Sequence, residues 1–210
     1  MGPVELRATD LDTVVFDLGG VLADWDPRYL YREMFADDEA AMEQFLATVT
    51  TPEWNHAMDA GRDRSEAVAE LAAAHPGHEP LIRAWVDRWE EMLGAEIAGT
   101  ALIVDDLASA GVRLLALTNW SAETFPIART RFPFLSWFEH IVVSGEVKLA
   151  KPDRRIFELT MHRAALDPAT TVYIDDSLPN IEAARPLGFN AVHFATPAKL
   201  RAELARLGLI

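Results

Sequence analysis

The sequence predicts an α/β protein with a three-layer α/β/α core, in which helices cover both faces of a parallel sheet. The first observation is a short apolar run at 13–16, which is rich in β-branched residues and ends at Asp17. Such a run is typical of a strand that is buried on both faces. The second observation is the alternation of helical and strand-like segments from residue 99 onward, which favours parallel strands.

The block at 26–93 shows apolar residues at helical spacing and no strand-like run. Proline and glycine divide this block at Pro52, at Gly61 and at the pair 76–77, and a final helix is predicted over 81–92. The block is therefore predicted to hold several short helices that are separated by turns.

The last part of the chain predicts four further strands that alternate with helices. The strands are expected over 112–117, 140–143, 171–174 and 191–194, and the helices over 100–110, 122–132, 154–165, 181–187 and 197–207. In an open sheet of this kind, ligands bind beyond the carboxyl ends of the strands. The residues that follow each strand are therefore the first candidates for a functional site.

Composition excludes several classes of protein. The 210 residues include 19 Lys and Arg against 33 Asp and Glu, a formal charge of −14, which repels nucleic acid and anionic lipid. There is no cysteine, which rules out disulfides, zinc-thiolate sites and a thiol nucleophile. Neither a secretion signal nor an apolar run of about 18 residues is present. We expect a cytoplasmic protein that binds neither nucleic acid nor membrane.

Acidic, hydroxyl and basic residues stand where the predicted strands end. They are Asp17 after the first strand, Thr118 and Asn119 after the second, Lys151 after the third, and Asp175 and Asp176 after the fourth. Each of them alone is more often a helix cap, a turn residue or a surface residue. Because the carboxyl ends of parallel strands share one edge of the sheet, we expect all of them to lie close together.

This set of side chains indicates a site for a cation and a phosphate. Clustered carboxylates repel one another, and an oxygen-only set of ligands favours a hard ion such as Mg²⁺. A hydroxyl, backbone amides and one lysine are the groups that bind a phosphate dianion. A carboxylate beside them can act as a nucleophile and form an aspartyl-phosphate that water then hydrolyses.

Four segments, in order along the chain, resemble the four motifs of the haloacid dehalogenase (HAD) superfamily. They are 15–22, 117–119, 151–153, and 174–177 with Asn180. The resemblance implies a Rossmann-like core over 1–24 and 95–210, with an inserted helical cap of the C1 type over 25–94. Within the superfamily, these motifs look most like the branch that contains bacterial α-D-glucose-1-phosphate phosphatase.

The resemblance also implies a role for each residue at the strand ends. Asp17 would be the nucleophile, and Lys151 would pair with both Asp17 and the phosphate. Thr118 and the backbone of Asn119 would hold the phosphoryl oxygens. The ligands of Mg²⁺ would be Asp17, the backbone carbonyl of Gly19 and Asp176, and Asp175 would assist either directly or through water.

The position two residues after the nucleophile departs from the pattern of the superfamily's phosphatases. They carry an aspartate there as general acid and base, whereas this chain has Gly19, a gap that the glucose-1-phosphatase branch shares. Either the leaving group departs unaided or another acid substitutes, with Asp24 and Asp26 as candidates against roles as hinge or helix-cap residues. Asn180 stands where many relatives have aspartate, which would weaken the surroundings of the metal.

The predicted cap is placed to close over the site and exclude water. The residues expected to reach the substrate are Trp25, Trp54, Asn55, Arg62 and Trp120. An aromatic side chain with an amide and a cation would suit a phosphosugar, and packing is the alternative role for the tryptophans. Trp85 and Trp89 lie one helical turn apart and are interpreted as packing residues.

The sequence thus predicts Mg²⁺-dependent hydrolysis of a small phosphorylated metabolite, a sugar phosphate, through an aspartyl-phosphate. The chain is expected to act as a monomer or homodimer. One alternative is a 2-haloacid dehalogenase, which needs no metal and would leave Asp175 and Asp176 uncompensated. The other is a catalytically weakened binding or regulatory protein, which would account for Gly19 and Asn180.

Overall fold

The architecture is that of a computed structural model, which describes residues 11–210. Within these residues the strands are β1 Thr13–Phe16, β2 Ala23–Trp25, β3 Leu93–Glu96, β4 Arg113–Thr118, β5 His140–Val143, β6 Thr171–Asp175 and β7 Asn190–His193. The helices are α1 Arg28–Met34, α2 Glu39–Thr48, α3 Pro52–Asp59, α4 Arg64–Ala74, α5 Glu79–Asp87, α6 Ala98–Ser109, α7 Phe125–Arg131, α8 Ser144–Val147, α9 Arg154–Ala164, α10 Leu178–Ala184 and α11 Pro197–Arg206. Residues 1–10, which the predicted core includes, lie outside the described part.

One parallel sheet forms the centre of the molecule, with the strand order β5-β4-β1-β6-β7. In β1, Val14 lies opposite Leu114 of β4 on one side and Val172 of β6 on the other. All four residues of β1 are buried, as the sequence of this strand predicted. The strand that leads to Asp17 is therefore the middle strand of the sheet.

The two faces of the sheet bury alternate residues of β1. Val14 and Phe16 belong to a core cluster that includes residues of α6 and α11, whereas Val15 belongs to a second cluster with residues of α9 and α10. Successive side chains of a strand point to opposite faces, so these helices form one layer on each side of the sheet. The predicted three-layer α/β/α fold is confirmed.

Helices α1 to α5 pack around a cluster of aromatic side chains. The Tyr31 ring lies 5.2 Å from the Phe45 ring and 6.0 Å from the Trp85 ring, measured between centroids. The Trp54 ring lies 5.4 Å from Trp85 in an edge-to-face arrangement. Three of these helices begin at residues whose side chains accept hydrogen bonds from the first turn: Asp38 for α2, Thr51 for α3 and Asp63 for α4. Tyr31, Phe45 and Trp85 belong to the same buried apolar cluster as Val14 and Phe16 of β1, so the helical block packs continuously onto the core.

An antiparallel ribbon of β2 and β3 lies at the two ends of the helical block. Trp25 of β2 pairs with Leu93 of β3. The sequence analysis missed this ribbon, because strands of three and four residues that contain Asp24 and Gly94 show no apolar alternation. The ribbon lies beside the predicted boundaries of the cap at 25–94, and those boundaries stay a prediction.

The described helices are short. The longest of them, α6, has 12 residues. The single helix predicted over 81–92 is wrong, because α5 ends at Asp87 and a separate 3-10 turn follows at Trp89–Met92. Both elements bury apolar residues, so the spacing that predicted one helix comes from two elements. No helix within residues 11–210 combines the length and apolar character needed to cross a bilayer.

Candidate active site

Three neighbouring strands bring polar side chains to one edge of the sheet. Because β1 lies between β4 and β6 and all three are parallel, their carboxyl ends meet. Thr118 ends β4, Asp17 follows β1, and Asp175 ends β6. All three residues are buried, with relative exposures of 0%, 8% and 0%. Buried polar groups require partners, and those partners define the site.

Lys151 lies between two carboxylates at this edge. Its Nζ is 2.9 Å from Asp17 Oδ2 and 2.7 Å from Asp175 Oδ2. Burial lowers the pKa of Lys151, but the two carboxylates outweigh burial and raise that pKa above its usual value. The lysine is therefore charged, and its one positive charge is shared between two negative ones.

Asp175 is held by several donors in addition to Lys151. It accepts hydrogen bonds from the Tyr173 hydroxyl, from the Ser177 N–H at 2.8 Å, and from Asn180 Nδ2 at 3.0 and 3.1 Å. Burial alone would raise the pKa of Asp175, but Lys151 and these hydrogen bonds lower it below the usual value. Asp175 is thus a fixed anion that orients Lys151, and Asn180 supports it directly.

Asp17 has fewer partners than Asp175. Its Oδ1 accepts the Leu18 N–H at 2.7 Å, and its Oδ2 faces Lys151. Burial raises the pKa of Asp17 to about 7; Lys151 opposes this rise, and the negative charges of Asp175 and Asp176 add to it. The surroundings of Asp17 therefore provide too little positive charge to stabilise its ionised form fully. A cation at the site would supply that charge.

The carboxylates of Asp17, Asp175 and Asp176 can converge on one metal ion. One oxygen atom of each lies within 4.8 Å of the others. Asp176 is exposed whereas the other two are buried, so the cluster is open to water on one side. An oxygen-only donor set with room for water fits Mg²⁺. These three residues could hold the ion, while the contribution of the Gly19 carbonyl stays a prediction.

Gly20 sets how closely the turn after β1 approaches Asp176. Its φ angle is +72°, a region that glycine adopts freely and other residues rarely enter. A Cβ atom on Gly20 would overlap Asp176 Oδ2 and lie 3.0 Å from its carboxyl carbon. Position 20 therefore requires glycine both for its backbone angle and for its closeness to the exposed carboxylate.

The predicted phosphate-binding residues differ in what their side chains can do. Thr118 Oγ1 is buried and has no hydrogen-bond partner among residues 11–210, a costly state that a phosphoryl oxygen would relieve. The Asn119 side chain is already engaged: Oδ1 accepts the Lys151 N–H at 2.8 Å, and Nδ2 donates to the Lys151 carbonyl at 2.9 Å. Asn119 thus positions Lys151, and only its backbone is proposed for the phosphate.

A cavity of about 100 Å³, the inner chamber, adjoins this edge of the sheet. Its walls are three indoles, two amides, one glycine and one acid: Trp25, Trp89, Trp120, Asn55, Asn119, Gly19 and Asp59. A larger cleft of about 780 Å³, the outer cleft, shares Trp25, Asn55 and Asp59 with it. The two cavities therefore have a common wall on β2 and α3.

Three of the five predicted substrate-contacting residues line the inner chamber: Trp25, Asn55 and Trp120. Trp54 and Arg62 line neither cavity. Trp54 packs against Trp85 and its Nε1 donates to the Ala67 carbonyl at 3.4 Å, which is the packing role considered from the sequence. Arg62 forms an ion pair with Glu70 at the surface. The structure thus brings only part of the predicted set together.

The two candidate substitutes for an acid at position 19 have structural roles. Asp24 on β2 accepts a hydrogen bond from the Tyr29 hydroxyl at 2.5 Å. Asp26 accepts the Arg28 N–H at 2.9 Å and pairs with the guanidinium of the same residue at 3.2 Å. Neither side chain lines the inner chamber. The contact of Asp26 with the Arg28 N–H agrees with the helix-cap role considered from the sequence.

Asp59 and Trp89 line the inner chamber although the sequence analysis did not place them there. Trp89 had been interpreted as packing alone; it is 7% exposed and borders the chamber as well. Burial raises the pKa of Asp59 to about 7, against the lowering effect of Arg64 and of hydrogen bonds with Ser121 and Asn55. One feature could have pointed to an unusual carboxyl at this position. Asp59 is the last residue of α3, and the helix dipole disfavours a negative charge at that end of a helix.

Comparisons with known proteins identify the family to which this chain belongs. The sequence model of haloacid dehalogenase-like hydrolases matches residues 11–188, which is most of the chain. The chain therefore belongs to this family of hydrolases, and it is an enzyme whose named relatives include phosphatases.

Two relatives cover most of the sequence. The sesquiterpene phosphatase astK of Aspergillus oryzae is 24% identical over 201 residues, which is 95% of this chain and 97% of the relative. A phosphoglycolate phosphatase of Xylella fastidiosa is 29% identical over 185 residues, 84% of this chain and 76% of the relative.

A solved structure shares the fold. It is a HAD family enzyme of Bacteroides thetaiotaomicron in complex with magnesium and inorganic phosphate, with a TM-score of 0.66 and 22% identity. The match covers 89% of this chain and 95% of that one. At this level of identity the likeness shows the common architecture.

Proposed function

We propose that the protein is a Mg²⁺-dependent phosphatase that hydrolyses phosphate monoesters through an aspartyl-phosphate on Asp17. The observation that carries this proposal is the buried arrangement of Asp17, Lys151 and Asp175, with one lysine 2.9 and 2.7 Å from two carboxylates. Such an arrangement holds a nucleophilic carboxylate beside a fixed cation, which is the requirement for attack on an anionic phosphoryl group.

The reaction follows from the positions of these groups. An oxygen of Asp17 attacks the phosphorus atom, and the bond to the leaving group breaks. Lys151, the Thr118 hydroxyl and the Asn119 backbone amide would bind the phosphoryl oxygens while charge moves between them. When bound by Asp17, Asp175 and Asp176, Mg²⁺ neutralises negative charge on the phosphoryl group. Water then hydrolyses the aspartyl-phosphate and releases phosphate.

We propose a sugar phosphate as the substrate class, in line with the resemblance of the motifs to the glucose-1-phosphatase branch. The inner chamber supports this choice, because three indoles and the amides of Asn55 and Asn119 offer apolar faces beside hydrogen-bonding groups. The names of two relatives, a sesquiterpene phosphatase and a phosphoglycolate phosphatase, refer to chemically different phosphate esters, so these names do not select one substrate.

The two alternatives are less consistent with the site. A dehalogenase that works without metal would keep Asp17, Asp175 and Asp176 within 4.8 Å of one another beside an anionic substrate, with Lys151 as the ammonium group that pairs with two of them. A non-catalytic binding protein has no need for a nucleophile placed against a buried lysine. Both alternatives give distinct outcomes in the same experiment.

The test measures release of phosphate from p-nitrophenyl phosphate and from a panel of sugar phosphates, with Mg²⁺ and with EDTA. We expect Mg²⁺-dependent turnover that Asp17→Asn abolishes, while the exposed Asp105→Asn keeps wild-type rates. Folded wild-type protein without turnover on any ester would overturn the proposal, and binding of BeF₃⁻ would then identify a binding protein. Halide release from 2-chloropropionate without metal would instead identify a dehalogenase.

A further inference from the structure

The inner chamber contains one side chain that can exchange a proton near neutral pH. Its seven lining residues are three tryptophans, two asparagines, Gly19 and Asp59. Indole and carboxamide groups do not act as general acids, and glycine has no side chain. Within the walls of this chamber, Asp59 alone has the chemistry to protonate a departing oxygen.

Contacts from both sides hold Asp59 at the boundary between the helical block and the core. On its own helix, Asn55 Nδ2 donates to Asp59 Oδ2 at 2.9 Å. On the core side, Ser144 Oγ at the start of α8 donates to the Asp59 carbonyl at 2.5 Å. The carboxyl group also interacts with the backbone of Ser121, just beyond β4. These contacts fix the carboxyl beside the strand ends.

The surroundings of Asp59 keep its carboxyl group partly protonated at neutral pH. Burial raises its pKa to about 7, and this effect exceeds the opposing influence of Arg64. Helices α4 and α8 pack against α3, and Arg64 at the start of α4 is the charged side chain that acts on the Asp59 carboxyl. A general acid works best when its pKa lies near the working pH.

We propose that Asp59 is the proton donor to the leaving-group oxygen and the base for the attacking water, in the place of an acid at Gly19. This inference rests on the proposed phosphatase activity and adds a catalytic residue to it. Asp24 and Asp26, the two acids considered from the sequence, are engaged in other hydrogen bonds.

The proton and electron pairs balance in both halves of the reaction. In the first half, Asp17 forms a bond to phosphorus, the bridging oxygen keeps the electron pair of its broken bond to phosphorus, and that oxygen takes the Asp59 proton. In the second half, the Asp59 carboxylate takes a proton from water as the water oxygen bonds to phosphorus. The electron pair of the broken bond returns to Asp17, and Asp59 is protonated again.

The experiment compares two esters of similar shape, phenyl phosphate and p-nitrophenyl phosphate, whose leaving groups differ in basicity. Asp59→Asn should lower kcat/KM for phenyl phosphate, which reports on formation of the aspartyl-phosphate, by about 100-fold or more, because the basic phenolate needs the proton. The loss on p-nitrophenyl phosphate should be at least about tenfold smaller, since nitrophenolate departs more readily. The wild-type rate on phenyl phosphate should fall as Asp59 ionises at higher pH. In the variant, the plot of rate against pH should not show this decrease.

Rescue and a matched control complete the design. A Cβ atom on Gly19 meets no atom within 4 Å, so Gly19→Asp is sterically allowed. Added to Asp59→Asn, it should restore much of the rate on phenyl phosphate, which a misfolded variant could not show. Asp87→Asn, at an exposed residue of α5, should leave both rates unchanged.

Three results would overturn the role of Asp59 while leaving the phosphatase proposal intact. They are equal losses of kcat/KM on the two esters, an unchanged pH profile, or wild-type protein that hydrolyses p-nitrophenyl phosphate but not phenyl phosphate. Absence of wild-type turnover on both esters would instead reject the phosphatase proposal itself.

Discussion

The side chain of Asn119 and the backbone of Lys151 are joined by two hydrogen bonds, of 2.8 and 2.9 Å, across 32 residues of sequence. The same lysine reaches Asp17 and Asp175 with its ammonium group. Asn119 therefore fixes the backbone from which the central cation of the site extends. This relationship connects the residue that follows β4 to the buried lysine of the site.

Asn119→Ala should release Lys151 from this position. We expect turnover of p-nitrophenyl phosphate to fall by about 100-fold, because a displacement of about 1 Å has an effect of that order. Loss of hydrogen bonds at partly buried backbone groups should also lower the free energy of unfolding by about 1–3 kcal/mol. Asn190→Ala removes donation to two backbone carbonyls far from the site and serves as the control. Equal loss of turnover in both variants would contradict the assignment.

Lys151→Met should destabilise the folded protein even without substrate or metal. Removing the cation leaves the carboxylates of Asp17 and Asp175 buried without a positive partner. Breaking a buried ion pair in this way should lower the free energy of unfolding by about 3–5 kcal/mol. Urea unfolding in EDTA measures this loss, and Lys199→Met, at an exposed residue, provides the control. Adding Asp175→Asn to Lys151→Met should recover part of the lost stability. A double variant less stable than the single one would show that charge is not the cause.

Gly20→Ala should weaken the site through contact with Asp176, and Gly111→Ala separates that contact from backbone strain. Both glycines have positive φ, +72° and +77°, so both variants should lose about 1–2 kcal/mol of stability. A Cβ atom on Gly111 meets nothing within 4 Å, whereas one on Gly20 would overlap the Asp176 carboxylate. Calorimetric titration with Mg²⁺ should therefore show weaker binding only for Gly20→Ala. Unchanged Mg²⁺ affinity in that variant would argue against Asp176 as a ligand.

The stability of the protein should depend on Asp59 in a pH-dependent way. The pKa of Asp59 is about 7 in the folded protein and about 4 in the unfolded chain, so the folded state binds the proton more tightly between these values. The stabilisation from this carboxyl is complete below about pH 4 and is lost as the pH rises to about 7. As the pH rises over this interval the wild type should lose stability, so the thermal midpoint of Asp59→Asn, measured in EDTA, should increase relative to that of the wild type. Each kcal/mol of stability that the wild type loses should change this difference in midpoint by about 2–4 °C. A midpoint difference that stays constant with pH would contradict the raised pKa.

The sequence by itself determined the fold class and the residues at the strand ends. Strands such as β1 are buried on both faces and therefore carry a continuous apolar run, and the polar residue that ends such a run is conspicuous. This pattern alone places Asp17, Thr118 and Asp175 at one edge of the sheet. The local sequence did not predict the ribbon of β2 and β3, because these strands are too short to show an alternation of apolar and polar residues.

The tertiary structure alone decided which of these groups interact and which further residues join them. The pairing of Asn119 with the Lys151 backbone joins segments 32 residues apart, and the contact of Ser144 with Asp59 joins segments 85 residues apart. Burial and neighbouring charge set the pKa of a carboxyl, and both depend on how distant segments pack. For this reason Asp59 resembled any helix-end acid in the sequence, and only the folded chain placed it in the wall of the inner chamber.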